Sequence, residues 1–304
     1  MNKPIDERMK KFVDYHIRGD GECNAVLLRQ YAKKHKLNRR QCFDLAYFFA
    51  ITYCCESGIV LYQAREAIAA DHADARKLKE DMIFQSDRRW VSIQDRFPKA
   101  LLDWRDNLSQ YDTAKWFESG VLRSEKAIAD VEQWYYFARF AAFLFVETYA
   151  TVIDAPASNT TIDWKNGDTA TSGLLNLFGY DGYANKFDQK HVLKLPADKL
   201  DALLLKVAKN IALSGGDANA TKIETSLCAY RKFYKGTRYN GFYLDRMLGE
   251  LNWFRREKPQ YNALTDELFS LRAELFPDEF LGERHGWTGV RQESKKLYMM
   301  YGII

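Results

Sequence analysis

The chain lacks the signatures of several large enzyme classes. It has no GxxxxGK[ST] run, no GxGxxG following a strand and no HExxH, which removes P-loop kinases, dinucleotide-binding folds and the common zinc proteases. Its five histidines are scattered, and its five cysteines (Cys23, Cys42, Cys54, Cys55 and Cys228) form no CxxC. Neither a metal centre nor a disulfide framework is indicated, and the expectation is a reducing compartment with no metal and no cofactor. Long hydrophobic runs are missing as well. The greasiest stretch, 134–146, is interrupted by Arg139 and is too short to span a bilayer, and the opening MNKPIDERMKK has no apolar signal core. The expectation is a cytoplasmic protein with no membrane partner. A large excess of one charge is also absent: the net charge is +4 over 304 residues, so any contact with a polyanion must come from local patches.

What is present is helix. A hydrophobic content of 47% with 14% aromatics is ample for a core. Phe43, Ala46, Tyr47, Ala50, Ile51 and Cys54 form one stripe at helical spacing, and Ile128, Val131, Tyr135, Ala138, Ala142 and Phe145 form another. No segment alternates like a strand. The pattern predicts helices over 4–18, 23–36, 39–54, 56–70, 73–85, 91–107, 125–153, 169–178, 197–213, 220–235, 240–257, 262–275 and 291–301. The fold class is all-α, an irregular globular helical fold without a repeat. We expect one domain over 1–304, with a lobe boundary near 154–163, where DAPASNTTID reads as a linker; SGGDAN at 214–219 is a second break.

Six motifs stand out. TSLCAYRKFYKGTRYNGFYL (225–244) has no acid but four cations and six aromatic rings. Arg231 and Lys232 suit phosphates, and Tyr230, Tyr239 and Tyr243 offer stacking faces; the same residues also suit a tyrosine-rich helix pair packed on a core. RQYAKKHKLNRR (29–40) carries six cations and no acid, as a solvated helix face also does. In FQSDRRW (84–90), Asp87 precedes Arg88, Arg89 and Trp90, a pairing that can hold a phosphoryl group or form a surface ion cluster. In DWKNGDTATSGLLNLFG (163–179), Lys165, Thr169, Thr171, Ser172 and Gly173 surround the start of an apolar helix. That is an anion site or an ordinary N-cap. Glu224 shares a helix face with Cys228 and Arg231, while Asp245 and Arg246 interrupt the apolar stripe of 239–253; each carboxylate is a candidate general base or a structural ion-pair partner.

Taken in order on a helical chain, FQSDRRW, DTATSGL and TSLCAYRKF…RYNGFYLDRMLGEL resemble the bacteriophage amino acid:DNA transferases, also called α-glutamyl/putrescinyl thymine pyrophosphorylases. FDLAYFFAITYCCESGIVLYQ (43–63) looks like the N-terminal helix pair of that family, and the resemblance covers most of 38–257. It implies a DNA-glycosylase-like helical cleft with a flipped base, although the chain has no LPGxG hairpin. The implied substrate is double-stranded phage DNA bearing pyrophosphorylated 5-hydroxymethyluracil, in the cytoplasm of an infected bacterial host. The implied co-substrate is an amino acid such as glycine, serine or lysine, or a polyamine. Its nitrogen displaces pyrophosphate from the 5-methylene carbon.

Such chemistry assigns Arg88, Arg89, Lys165 and Thr169 to Gly173 to the pyrophosphate. Trp90, Tyr239 or Tyr243 would hold the flipped base, Glu224 or Asp245 would take the amine proton with Asp87 in reserve, and Arg246 or Arg231 would bind the co-substrate carboxylate. Two other readings use the same residues. A hydrolytic DNA glycosylase would direct water at the sugar, and a non-enzymatic nucleic-acid-binding protein would need only the cationic aromatic stretch.

Overall fold

The structure, a computed structural model, describes residues 5–85, 88, 91–93, 95–158, 161–165, 167–184 and 195–276. Its helices in chain order are α1 (Ile5–Arg18), α2 (Cys23–Lys34), α3 (Arg39–Thr52), α4 (Cys55–Gln63), α5 (Arg65–Ala69), α6 (Ala75–Glu80), α7 (Arg96–Asp103), α8 (Ser124–Val131) and α9 (Arg139–Val152). There follow α10 (Asp168–Leu177), α11 (Ala197–Leu213), α12 (Ala220–Tyr234), α13 (Phe242–Glu257) and α14 (Asn262–Leu275). The fold is mostly helical. Three short strands interrupt it: β1 (Phe117–Glu118), β2 (Val121–Arg123) and β3 (Ala157–Ser158). β1 and β2 form an antiparallel hairpin turned by Ser119 and Gly120, both at positive φ as a tight two-residue loop requires.

Many ends have a local cause. Asn38 and Gln41 form a reciprocal capping box at the start of α3. Asp74 caps α6 and Asn219 caps α12 through side-chain acceptors. Tyr53, left-handed at φ 55°, stops α3.

The described residues divide into two units. The first takes the segment ending at Cys23 together with Ser158–Asp245; the second takes Asn24–Ala157 together with the segment beginning at Arg246. In the first, α1, α10, α11 and α12 enclose a core of Phe12, Leu174, Leu177, Leu200, Val207, Ile223, Leu227 and Tyr230. His16 of α1 ties this unit together. Its Nε2 donates to the Asp217 carbonyl at 2.7 Å, so its Nδ1 accepts from the Ser226 hydroxyl at 2.7 Å.

In the second unit α3 is buried on every side from Cys42 to Thr52 and packs against α4 and α9. Gly58 permits the α3–α4 approach, because an added Cβ would lie 2.8 Å from the Phe49 Cα. Here the structure corrects the single helix expected over 125–153. α8 ends at Val131 and α9 begins at Arg139, with Tyr136 left-handed at φ 63° between them. The break lets Trp134 and Phe137 reach a ring cluster: Trp134 lies 5.1 Å from Phe145 and 5.7 Å from Phe43, and Phe137 stacks on Tyr47 at 5.4 Å. The helix expected over 91–107 is likewise shorter, and passes at its end into a π-helical turn, Trp104–Leu108. The one expected over 56–70 is split into α4 and α5. That expected over 291–301 lies outside the described residues.

Candidate functional site

In the first unit, the helix after DWKNG and the helix of the cationic aromatic motif come together. α10 and α12 cross so closely that a Cβ on Gly173 would fall 2.3 Å from the Leu227 carbonyl oxygen. One turn earlier on α12, Glu224 reaches the start of α10: a Cβ on Gly167 would lie 3.3 Å from its Oε1 and 2.8 Å from the Asp163 carbonyl oxygen. Glycine at 167 and 173 is therefore a steric requirement, and it sets a 6%-exposed carboxylate at a helix N-terminus. Lys165 is exposed and Thr169 half-buried beside that start.

Two other members of the expected phosphate set on α10, Thr171 and Ser172, are buried. The Thr171 hydroxyl donates to the carbonyls of Trp164 at 2.9 Å and Gly167 at 3.0 Å. Ser172 is fully buried, and Gly173 serves the helix crossing.

The aromatic motif divides in the same way. Tyr230 is 2% exposed and meets Phe12 edge-on at 5.4 Å, within the core of this unit. Tyr239 is buried, and its hydroxyl donates to Asp245 Oδ2 at 2.5 Å. Tyr243 and Lys232 are half-buried. Arg231 is buried, and burial pulls its guanidinium down to about 10. Lys235, four residues on, is lowered by burial and then by the charge of Arg231. The end of α12 is thus a crowded cationic region.

Asp20 was not singled out in the sequence. It is fully buried, with Oδ1 accepting from the amides of Tyr243 and Leu244 at 3.1 Å each. Its Oδ2 accepts from Gly241 N at 3.2 Å and the Tyr15 hydroxyl at 3.0 Å. It serves as a cap for the first turn of α13 from more than two hundred residues away, and burial raises it to about 6 despite these donors. No local spacing signals such a cap.

In the second unit two amides hold the chain where it enters FQSDRRW: Gln85 N donates to Thr52 O at 2.8 Å, and Ile83 N to Ser57 Oγ at 2.8 Å. Arg88 is 3% exposed and donates to the Tyr136 carbonyl at 3.3 Å, while Arg96 donates to the Tyr136 hydroxyl at 2.8 Å. Asp87, Arg89 and Trp90 lie outside the described residues. Arg246 pairs with Glu250 one turn on at 3.3 Å, and its guanidinium lies 4.7 Å from the centre of the Tyr53 ring.

Glu250 and Glu56 are a pair of buried acids that sequence reasoning missed. Burial raises Glu250 to about 7, partly opposed by the charge of Arg246 and by hydrogen bonds with Gln85 and Cys54. Burial raises Glu56 to about 8, opposed by the Thr265 hydroxyl, which donates to it, while the charge of Glu250 pushes it further up. The i,i+4 spacing of Arg246 and Glu250 was the available signal; for Glu56 there was none.

Among the described residues no group of three or more His, Cys, Asp or Glu is placed to hold a metal ion, and no helix is long and apolar enough to cross a membrane. The chain is similar to a protein of Salmonella phage ViI named serinyltransferase, at 26% identity over 226 residues, covering 67% of this chain and 54% of that protein. The chain thus spans about half the length of that relative. No family model matches, and no solved structure matches.

Proposed function

We propose that the chain is an amino acid:DNA transferase that hypermodifies phage DNA in the cytoplasm of the infected bacterial host. The observation that carries this reading is the similarity, along two thirds of the chain, to a phage protein named serinyltransferase, on the same sequence whose motifs resemble that family. In the proposed reaction a neutral amine nitrogen attacks the 5-methylene carbon of pyrophosphorylated 5-hydroxymethyluracil. The C–N bond forms as the C–O bond breaks, pyrophosphate leaves with the electron pair, and the added nitrogen gives up a proton.

The first unit supplies groups suited to each part. Lys165, Thr169 and the amides at the start of α10 would receive pyrophosphate, and Glu224 beside that start would take the proton. Asp245, hydrogen-bonded to Tyr239, is the second candidate for that proton. Arg231 and Lys232 suit the carboxylate of an amino acid or a DNA phosphate, since an anion there relieves the repulsion between the cations ending α12. Tyr243, half-buried, is the proposed stacking partner of a flipped base. Arg88, Arg89 and Arg246 are proposed anion-binding residues of the second unit, to be tested separately by substitution. Serine is the first amine to try, with glycine, lysine and a polyamine beside it.

The test is mass spectrometry of nucleosides after incubating the protein with duplex DNA bearing pyrophosphorylated 5-hydroxymethyluracil and these amines. A serine or other amine adduct on thymine, with pyrophosphate released, is expected. Free base with abasic sites, or bound DNA with no new mass, would overturn the reading.

A further inference from the structure

The cationic run RQYAKKHKLNRR plays no part in the chemistry proposed above, and in the second unit its side chains divide into two sets. Arg40 turns inward, with its guanidinium over Phe43 at 4.0 Å and an Nη1 donating to the Leu108 carbonyl at 2.9 Å. Lys34 joins Glu267 at 2.9 Å. The remaining cations gather around one groove. Arg29 and Lys33 share Asp154, at 3.4 and 2.8 Å. Lys36 is exposed and has no carboxylate partner among the described residues, and Arg39 lies over the Phe117 ring at 3.8 Å.

Lys33, Lys36, Arg39 and Asp154 rim an open groove of about 340 Å³ whose floor includes Leu37 and Val152. With Arg29 beside it, four cations face one carboxylate. A second open groove in this unit, around Lys115 and Arg123, is balanced. There Arg123 pairs with Glu118 at 3.1 Å and Lys115 with Asp130 at 3.0 Å. The charge excess therefore belongs to the first groove and is not a general property of the surface. The first turn of α3 is closed by its own capping box, so attraction for an anion comes from the side chains.

A cationic rim over an apolar floor complements a phosphodiester, whose oxygens take the charges while its sugar lies on the floor. We propose that this groove grips the DNA backbone, independently of base sequence and apart from the residues assigned to the chemistry. The identity of the polyanion as DNA rests on the function proposed above.

The experiment is a fluorescence-anisotropy titration of unmodified duplex DNA across a salt series, with wild type and the double variant Lys33→Gln/Lys36→Gln. Both positions are exposed and Asp154 keeps Arg29, so the fold is retained, as circular dichroism will check. The expected result is weaker binding on every sequence tested, with the slope of log K against log salt smaller by roughly 1 to 2. Lys36→Arg should restore the Lys36 share of that slope. An unchanged affinity and slope in a folded double variant overturns the proposal. So does loss of pyrophosphate binding by calorimetry with DNA binding intact, which marks a site for free anions. A chain that makes no nucleotide adduct yet shows the slope change loses the transferase reading and keeps the groove.

Discussion

Gly173 of α10 lies against the backbone of Leu227 in α12, with no room between them for a methyl group. The obstructing atom is a carbonyl oxygen, so no side chain can swing aside, and the two helices would have to separate. Gly173→Ala is expected to destabilise the first unit by about 1–3 kcal/mol, the usual cost of overpacking. It should also lower transferase turnover more than DNA affinity, because Glu224 sits one turn from the displaced contact. Urea denaturation with a parallel turnover assay checks this; a variant with wild-type stability would show that the crossing tolerates a larger spacing.

The Asp20 carboxylate joins the short turn after α1 to the first amides of α13. Replacing it with alanine strands three buried or half-buried amides and the Tyr15 hydroxyl. The expected loss is about 2–4 kcal/mol, with Asp20→Asn retaining part of it through its remaining acceptor oxygen. Hydrogen exchange at Tyr243 and Leu244 gives the local readout. Equal protection in wild type and Asp20→Ala would mean that water replaces the carboxylate at no cost.

Much of the fold could be read from spacing, and its failures share a cause. The helices over 197–213 and 262–275 agree with the pattern to the residue, since each has an apolar stripe between clear breaks. The stretch 125–153 failed because Tyr135 and Ala138 continue the stripe from Val131 to Ala142 although they lie in the connection between α8 and α9. What favours the bend is the contact of Trp134 with Phe43 and of Phe137 with Tyr47, far away in sequence. At the candidate site, periodicity could place Glu224 and Arg231 on one helix face but could not say which side of Tyr230 or Thr171 is buried. Asp20 and Glu56 were invisible for the same reason: their meaning comes from elements far away in sequence.

Glu56 and Glu250 make the second unit sensitive to alkaline conditions. In the unfolded chain both ionise near the ordinary glutamate value, whereas burial holds them protonated to about 8 and about 7 in the folded protein. The folded state therefore binds more protons in between. Their stabilising contribution is complete below the ordinary glutamate value and is lost as pH rises through about 7 and then about 8. Glu56→Gln, which keeps the shape without the charge, should flatten the fall in melting temperature between roughly pH 5 and pH 9. Identical profiles for variant and wild type would mean that Glu56 stays ionised in the fold.

Glu224 is the group whose replacement separates catalysis from architecture. Its carboxylate lies beside Gly167 at the start of α10, where a purely structural acid would interact with the helix dipole. Glutamine keeps the volume and hydrogen-bonding shape, so a structural role predicts turnover close to wild type and a loss of stability below about 1 kcal/mol. A proton-accepting role predicts a fall in turnover of about 10²-fold or more, with loss of the acidic limb of the pH–rate profile and unchanged affinity for unmodified DNA. Asp245→Asn is the matched comparison, because that carboxylate is already engaged by the Tyr239 hydroxyl. We expect the large kinetic effect at Glu224 and a smaller one at Asp245. The reverse ranking would move the base to Asp245 and leave Glu224 as the residue that sets the start of α10.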